Sequence, residues 1–303
     1  MTGSPEWNFV VALDFGGTKI ALATAGLDGT ILERRQLRTE AEQGAPQAVR
    51  RALAEAGALI EATARRCGGR CVGAGAVSPG IVRRDRIDLV PTLPGWERLP
   101  IVDLLREGLG LDHVAVANDV KAAGEAEARW GSLRGADPSL YVSIGTGVAA
   151  ALIVAGRVVT GAHGAAGEVG YSLRGVGDET GAADGRAPLE EFVGGRAIGR
   201  RASRLLGGEL SAEQVFGLAP TDLRLRFLLD ETLAELAVHV ANWAVLVDPE
   251  RIAVGGGLMG SGEVILAALR RRLDLAVPFP PELVPAEFLQ DAALRGAIAL
   301  ALG

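Results

Sequence analysis

Asn118 and Asp119 follow the apolar run at 114–117 and are adjacent polar side chains that could act on a hydroxyl group. A carboxylate at the end of a strand suits a general base. Asn118 can both donate and accept hydrogen bonds, which suits a sugar hydroxyl. The same pair would also cap the helix predicted over 119–130. These residues alone leave both interpretations open.

The segment LDFGGTK (13–19) could bind a phosphate and a metal ion. Its glycines allow backbone N–H groups to reach an anion, and Thr18 adds a hydroxyl donor. Asp14 could hold Mg²⁺ or a water molecule bound to it. The spacing matches neither G-x-G-x-x-G nor a Walker loop. A plain hairpin turn with a capping Asp is the alternative.

Two further glycine turns could also bind parts of a ligand. SIGTGVA (143–149) places Thr146 between glycines, so that its backbone could surround an anion. Paired with the first turn, it could hold a polyphosphate from a second side. AVGGGLMGSG (253–262) could accept a flat ring such as adenine, and a tight turn from strand to helix is the alternative.

Residues 164–192 are rich in glycine and acid and contain no Cys, His or Lys. Three carboxylates lie near the ends of this stretch, on Glu168, Glu190 and Glu191. The stretch therefore offers no thiolate or imidazole ligand to a metal ion.

The elements that must position these residues alternate between strands and helices. Residues 9–32 and 140–161 each read as three apolar runs separated by glycine turns, which predicts two β-meanders in two related halves. Apolar periodicity predicts helices between and after them. The predicted helices cover 45–66, 119–130, 222–247 and 291–302, and 251–273 reads as strand, turn and helix. This alternation predicts an α/β fold.

Composition narrows the classes of function. The 303 residues suffice for two domains of roughly 100–200 residues each. The net charge of −6 argues against general binding to nucleic acid or to anionic membranes. No apolar run has the length of a membrane span and no signal peptide is recognisable, so we expect a cytoplasmic protein. Cys67 and Cys71 lack a second Cys/His pair that could complete a zinc site.

Taken in order, the motifs resemble the ROK family of sugar kinases and repressors over nearly the whole chain. They are LDFGGTK, SPG (78–80), LPGW (93–96), ND (118–119), SIGTG (143–147), GAAGEVG (164–170), LEEFVGG (189–195) and AVGGG (253–257). The resemblance implies an actin/hexokinase-type (ribonuclease H-like) ATPase fold, with two domains around a cleft. We expect one domain over 1–117 plus 291–303 and the other over 118–290. The first strand begins near residue 8, which leaves no room for the helix-turn-helix of the repressors and favours a kinase.

The resemblance also implies roles for single residues. Asp119 is the expected base that takes the proton from a sugar hydroxyl, usually O6, during attack on ATP. The expected sugar contacts are Gly80, Asn118, Asp119, Glu168, Tyr171 and Glu190. The expected contacts to ATP are Asp14, Gly16, Gly17, Thr18, Lys19, Gly145, Thr146, Gly147, Gly255, Gly256 and Gly257, with Mg²⁺ on Asp14 through water. Homodimers are common in the family and are expected here.

The sequence departs from the family at four places. Tyr171 stands at the position of a zinc-binding His, and residues 172–189 lack the cysteines that complete the family's zinc site, so we expect no structural zinc. Thr92 and Lys121 both replace a frequent Asn. The sugar pocket should therefore differ from that of an ordinary glucokinase.

We predict an ATP-dependent kinase for the 6-hydroxyl of a hexose or aminohexose, of the glucose or kanosamine type. Carboxylates around the pocket would favour an ammonium substituent, and a composition like that of actinomycetes allows a role in antibiotic biosynthesis. A non-catalytic sugar-sensing protein is the alternative. Retention of six expected site residues argues against it, because a sensor does not need a base. They are Asp14, Thr18, Asn118, Asp119, Glu168 and Glu190.

Overall fold

A computed structural model of the chain describes residues 7–83, 86–90, 95–97 and 99–303. Thr92 and the first two residues of the LPGW motif lie outside the described residues. The chain forms two compact units. The first unit is Met1–Ala126, Thr160–Ala165 and Asp291–Gly303, and the second is Glu127–Val159 and Ala166–Gln290. The expected boundary at 117/118 therefore differs from this division, in which the first unit continues to Ala126 and includes 160–165.

The first unit is built on a five-stranded sheet of strand order β3-β2-β1-β4-β7. Its strands are β1 (Asn8–Phe15), β2 (Lys19–Gly26), β3 (Ile31–Arg38), β4 (Arg70–Ser78) and β7 (Val114–Asn118), and a separate hairpin joins β5 (Ile81–Val82) to β6 (Ile87–Asp88). Strands β1 to β3 are antiparallel neighbours, whereas β4 lies parallel to both β1 and β7. The parallel strands bring their carboxyl ends to one edge, where Asp14 pairs with Val77 and Ser78 pairs with Asn118.

The helices of this unit are α1 (Ala45–Cys67), α2 (Ile101–Leu109), α3 (Asp119–Trp130) and α9 (Ala292–Leu302). Apolar periodicity predicted three of them, and α2 was not predicted. Helix α1 has a proline in its first turn and ends at Gly68, which adopts a left-handed conformation. Helix α9 lies directly on β4, because a Cβ at Gly75 would stand 1.9 Å from the Ala297 carbonyl oxygen. The core of this unit contains Phe15 and the fully buried Trp96, whose ring centroids are 5.2 Å apart.

The second unit has a five-stranded sheet of equivalent order, β10-β9-β8-β11-β12. Its strands are β8 (Ser139–Ile144), β9 (Val148–Val154), β10 (Arg157–Val158), β11 (Arg251–Gly255) and β12 (Glu282–Pro285). Again three antiparallel strands are followed by two parallel ones. The two predicted β-meanders are therefore confirmed, and the repetition in the sequence corresponds to a repetition in strand order.

The helices of the second unit are α4 (Glu190–Val193), α5 (Gly195–Leu206), α6 (Ala212–Leu218), α7 (Leu223–Val247) and α8 (Gly262–Ala276). Asp222 caps α7 by accepting a hydrogen bond from the Arg224 N–H at 2.9 Å. Helices α5 to α8 contribute apolar side chains to the core that includes β8, β9 and β11. In the part of the chain that is described, none of the helices has the length and apolar composition needed to cross a membrane.

The two cysteines are free thiols at half-buried positions. Burial raises the pKa of the Cys71 thiol to about 11. Cys71 is therefore protonated near neutral pH, which makes it a poor nucleophile.

Candidate functional site

The first glycine turn joins β1 to β2 and is supported from behind by Thr39. The Gly16 N–H donates to the Lys19 carbonyl at 3.0 Å, which closes the turn. The buried Thr39 hydroxyl donates to the Gly16 carbonyl at 2.6 Å, and the Thr39 N–H donates to the Thr18 carbonyl at 2.9 Å. Gly17, Thr18 and Lys19 are exposed. The turn is thus fixed at its back while its tip is accessible to an anion.

Asp14 lies one residue before the end of β1, in an environment that opposes its ionisation. Burial raises the pKa of its carboxyl from 3.8 to about 7, and the charge of Asp119 contributes in the same direction, whereas Lys19 opposes the shift. Asp14 and Asp119 therefore form an acidic pair with an excess of negative charge. A divalent cation would relieve that excess, so these residues fit the Mg²⁺ expected at Asp14.

Asn118 performs the capping role that the sequence left open. Its Oδ1 accepts hydrogen bonds from the N–H groups of Val120 and Lys121 at 3.0 and 3.1 Å, at the start of α3. Its Nδ2 donates to the Gly80 carbonyl at 2.9 Å. Asn118 is buried, and both polar atoms of its amide are engaged within the protein. It therefore fixes the first turn of α3, which begins with Asp119.

Gly80 is required by its backbone and its surroundings. Its φ is +90°, and a Cβ there would stand 2.5 Å from Val90 Cγ2 and 2.7 Å from the Asp88 carbonyl oxygen. The neighbouring Ser78 accepts a hydrogen bond from Trp96 Nε1 at 2.7 Å. The SPG motif is thus a rigid turn that holds Asn118 in place.

The second glycine turn joins β8 to β9 and is supported by the start of α5. The Gly145 N–H donates to the Gly147 carbonyl at 3.0 Å. The Gly145 and Thr146 carbonyls accept hydrogen bonds from the N–H groups of Gly195 and Arg196 at 2.8 and 3.1 Å. A Cβ at Gly195 would stand 2.6 Å from the Gly145 oxygen, which explains the glycine at this position.

A cavity of about 450 Å³ lies beside this turn within the second unit. It is lined by Gly145, Thr146, Gly195, Arg196, Gly199, Arg200, Leu210, Ser211, Ala212, Glu213, Gly257 and Leu258. Its size, its two arginines and its glycine-rich wall fit a nucleotide. Sequence reasoning identified Gly145, Thr146 and Gly257 but missed Gly199, the two arginines and the segment 210–213. The i, i+4 spacing of two arginines that follow a Gly-Gly pair was the available signal.

The three glycines at 255–257 have different surroundings. Gly257 lines the cavity. A Cβ at Gly255 would stand 2.5 Å from the Tyr141 hydroxyl, and one at Gly256, where φ is +93°, would stand 2.6 Å from the Ile144 carbonyl oxygen. The structure therefore gives Gly255 and Gly256 a packing role, which is the tight turn left open as the alternative.

Glu168, Tyr171 and Glu190 form an acidic cluster in the second unit. Burial raises the pKa of Tyr171, and the charges of Glu168 and Glu190 contribute in the same direction. Glu190 Oε2 accepts a hydrogen bond from the Val148 N–H at 3.2 Å, and a Cβ at Gly147 would stand 2.0 Å from this oxygen. Gly147 thus lies against Glu190, which connects the acidic cluster to the second glycine turn.

Residues 172–189 are held by local polar contacts. Asp178 and Asp184 accept hydrogen bonds from the N–H groups of Arg174 and Gly181 at 2.6 and 2.9 Å. Glu191 binds Arg186, whose guanidinium lowers the pKa of that carboxyl to about 2. Within the described ranges, no group of three or more His, Cys, Asp or Glu side chains could hold a metal ion. The expectation of no zinc stays a prediction.

An α/β chain whose two sheets share one strand order, each opening with a β-meander and a glycine turn, has the architecture of the actin/hexokinase-type ATPases. The model of the ROK family matches residues 10–303, and the chain belongs to this family. The predicted family is confirmed.

Relatives with known names support the same assignment. N-acetylmannosamine kinase from Escherichia coli O1:K1 / APEC is 33% identical over 301 residues, which are 97% of this chain and 98% of that protein. The ROK hexokinase of Thermus thermophilus is 29% identical with a TM-score of 0.82, over 97% of each chain. A ROK glucokinase from Streptomyces griseus, in complex with glucose and AMPPNP, is 24% identical with a TM-score of 0.79, over 97% of this chain and 99% of that one. The predicted fold is confirmed by these likenesses.

Proposed function

We propose that this chain is an ATP-dependent sugar kinase that phosphorylates the 6-hydroxyl of a hexose or aminohexose. The observation that carries the proposal is the acidic pair of Asp14 and Asp119 beside the first glycine turn. The names of its relatives, an N-acetylmannosamine kinase, a hexokinase and a glucokinase, support sugar phosphorylation as the type of reaction.

Asp119 is the proposed general base. It begins α3, and its Oδ1 accepts a hydrogen bond from the Val120 N–H at 2.8 Å, which gives the carboxylate a defined position. Such a carboxylate can accept the proton of a sugar hydroxyl as that oxygen attacks the γ-phosphorus of ATP. The proton moves to Asp119, a new bond forms between the sugar oxygen and phosphorus, and the bond from phosphorus to ADP breaks.

The remaining residues bind and orient phosphate groups. The first turn (16–19) and the second turn (145–147) offer backbone N–H groups, and Arg196 and Arg200 add positive charge at the cavity. Asp14 would hold Mg²⁺, which neutralises charge on the transferred phosphoryl group. Phosphoryl transfer depends mainly on positioning and electrostatic stabilisation, so these contributions are the ones the reaction needs.

Five residues besides Asp119 are the proposed sugar contacts: Gly80, Asn118, Glu168, Tyr171 and Glu190. The two carboxylates of the acidic cluster would attract an ammonium group, which supports an aminohexose of the kanosamine type alongside glucose. The phenol of Tyr171 adds one donor whose proton is retained at neutral pH, since the pKa of this group is raised.

A panel of sugars tests the proposal. ATP consumption is measured with glucose, mannose, glucosamine, kanosamine, N-acetylglucosamine, N-acetylmannosamine and allose, and the position of the phosphate in each product is determined by NMR. We expect sugar-dependent release of ADP and a 6-phosphate product with at least one hexose or aminohexose. Sugar binding without any ADP release would instead favour a sugar sensor and would contradict the kinase proposal.

A further inference from the structure

The acidic cluster depends on two short elements that are not stable by themselves. Tyr171 ends a 3₁₀ segment, Val169–Tyr171, and Glu190 begins α4, which has four residues. Helices of this length do not form in isolation, because the free-energy cost of nucleation exceeds the stabilisation that a single turn provides. Contacts from other elements must therefore fix the positions of both side chains.

Phe192, on α4, is contacted by two arginines from different segments. The guanidinium carbons of Arg174 and Arg201 lie 3.6 and 3.9 Å from the centroid of the Phe192 ring. Both distances are well within the range of a cation–π contact, and both side chains are only partly exposed, at 33% and 21%. Arg174, Phe192 and Arg201 are called the arginine clamp below.

Helix α7 anchors both arginines of the clamp. Glu235 lies 3.4 Å from the Arg174 side chain, and Glu231 lies 2.5 Å from that of Arg201. Arg201 also donates to the Thr232 hydroxyl at 2.8 Å and to the Phe192 carbonyl at 3.2 Å. The clamp thus fastens the short α4 to a 25-residue helix.

The clamp is close in sequence to both members of the cluster that it would position. Phe192 follows Glu190 by two residues within α4, and Arg174 follows Tyr171 by three. Displacement of α4 would move the Glu190 carboxylate away from the Val148 N–H that it now accepts from. Displacement of Arg174 would release the segment that leads from Tyr171.

We propose that Arg174 and Arg201, stacked on Phe192 and anchored to α7, are positioning residues that hold Tyr171 and Glu190 in place for sugar binding. This inference rests on the proposed function, because it assigns the acidic cluster to the sugar. Arg174 gives the cleaner test, since Arg201 also supports a backbone carbonyl whose loss would disturb folding.

The test compares Arg174→Ala, Arg174→Lys and Phe192→Leu with the parent chain. Removal of the stack should raise the KM for the sugar about tenfold, because small displacements of binding groups weaken productive binding. The kcat and the KM for ATP should change less than the sugar KM, because the clamp contacts neither the proposed base nor the nucleotide cavity. Arg174→Lys should give an intermediate KM, since it keeps the charge near Glu235 and loses the planar stack. Arg224→Ala is the matched control, because that exposed arginine pairs with Asp222 on its own helix.

A second readout does not require activity. The chain contains two tyrosines, so NMR of ¹³C-labelled tyrosine rings gives two signals, and Tyr171→Phe assigns them. In Phe192→Leu, which leaves every charge in place, the pKa of Tyr171 should fall towards its ordinary value as the acidic cluster separates. An unchanged Tyr171 titration and an unchanged sugar KM, with only a lower Tm, would overturn the positioning role. Absence of phosphorylation by the parent chain would refute the proposed function, while the tyrosine titration would still decide whether the clamp positions the cluster.

Discussion

The two glycine turns of this chain follow the same pattern in the sequence and are supported by different partners. The turn after β1 is held by the side chain and backbone of Thr39, from the segment that follows β3. The turn after β8 is held by the first N–H groups of α5 and lies against the Glu190 carboxylate. The first turn thus has an acidic pair beside it, and the second has a cavity with two arginines.

In the proposed function, this difference corresponds to a division of work between the repeated halves. Negative charge at Asp14 and Asp119 suits a metal ion and a general base, whereas positive charge at Arg196 and Arg200 suits the phosphates of a nucleotide. A duplicated strand-turn-strand unit therefore supplies a similar backbone twice, and the segments that surround each copy determine its chemistry.

Among the substitutions that compare the two glycine turns, Gly16→Ala should cause the largest loss of activity. The new Cβ would stand 2.8 Å from the Lys19 carbonyl oxygen, a backbone atom that moves only if the turn opens. We expect kcat/KM for ATP to fall about a hundredfold, because the backbone that we propose to bind phosphate is displaced. Steady-state kinetics measures this. Gly57→Ala in α1 is the control, because nothing lies within 4 Å of its new Cβ, and equal losses in both variants would refute the assignment.

Loss of positive charge at the second turn should have the next largest effect. Arg196→Ala and Arg200→Ala should each raise the KM for ATP about tenfold, since a charge-assisted hydrogen bond to phosphate is removed. The KM for the sugar should not change. Arg204→Ala, on the same helix and outside this cavity, serves as the control. An unaltered KM for ATP in both variants would place the nucleotide elsewhere.

A smaller effect is expected from Gly147→Ala in the second turn. Its Cβ would stand 2.0 Å from Glu190 Oε2, which is the end of a flexible side chain and can move away. The sugar KM should rise about threefold as the hydrogen bond from Val148 is lost. The same substitution in a Glu190→Ala background should add nothing further. Additive effects would show that Gly147 acts independently of Glu190.

The pH dependence of stability tests the raised pKa of Asp14 in the acidic pair. Because the pKa of Asp14 is raised from 3.8 to about 7 on folding, its contribution to stability is fully present below pH about 4 and is lost as the pH rises through about 7. In EDTA, Asp14→Asn should therefore gain in Tm relative to the parent chain as the pH rises from about 4 to about 7, and the difference should then stay constant. Thermal unfolding followed by circular dichroism measures this. A Tm difference that is constant with pH would contradict the raised pKa.

The sequence predicted most elements because their signals are local. Glycine turns between apolar runs indicated both β-meanders, and helical periodicity located α1, α3, α7 and α9 within one or two residues. The supports of the turns were not predictable, because they come from distant segments. Thr39 lies 23 residues from Gly16, and Glu190 lies 42 residues from Val148.

The candidate site was only partly predictable for the same reason. The sequence around Asn118 is equally compatible with a helix cap and with a sugar contact. Its hydrogen bonds to Gly80 and α3 are visible only in the structure. The two arginines of the cavity follow a Gly-Gly pair at i, i+4 spacing, which is a weak signal in a sequence that contains many arginines. No local pattern distinguishes the two arginines of the clamp.

The most direct test of the proposed mechanism is the turnover of the Asp119→Asn variant with the preferred sugar. The Glu190→Gln variant is measured in parallel for comparison. We expect kcat of Asp119→Asn to fall about a thousandfold, because an amide cannot accept the hydroxyl proton. Calorimetry should show that this variant still binds the sugar within about threefold, whereas Glu190→Gln should mainly raise the KM. A kcat of Asp119→Asn within about tenfold of the parent value would contradict the assignment of Asp119 as the base.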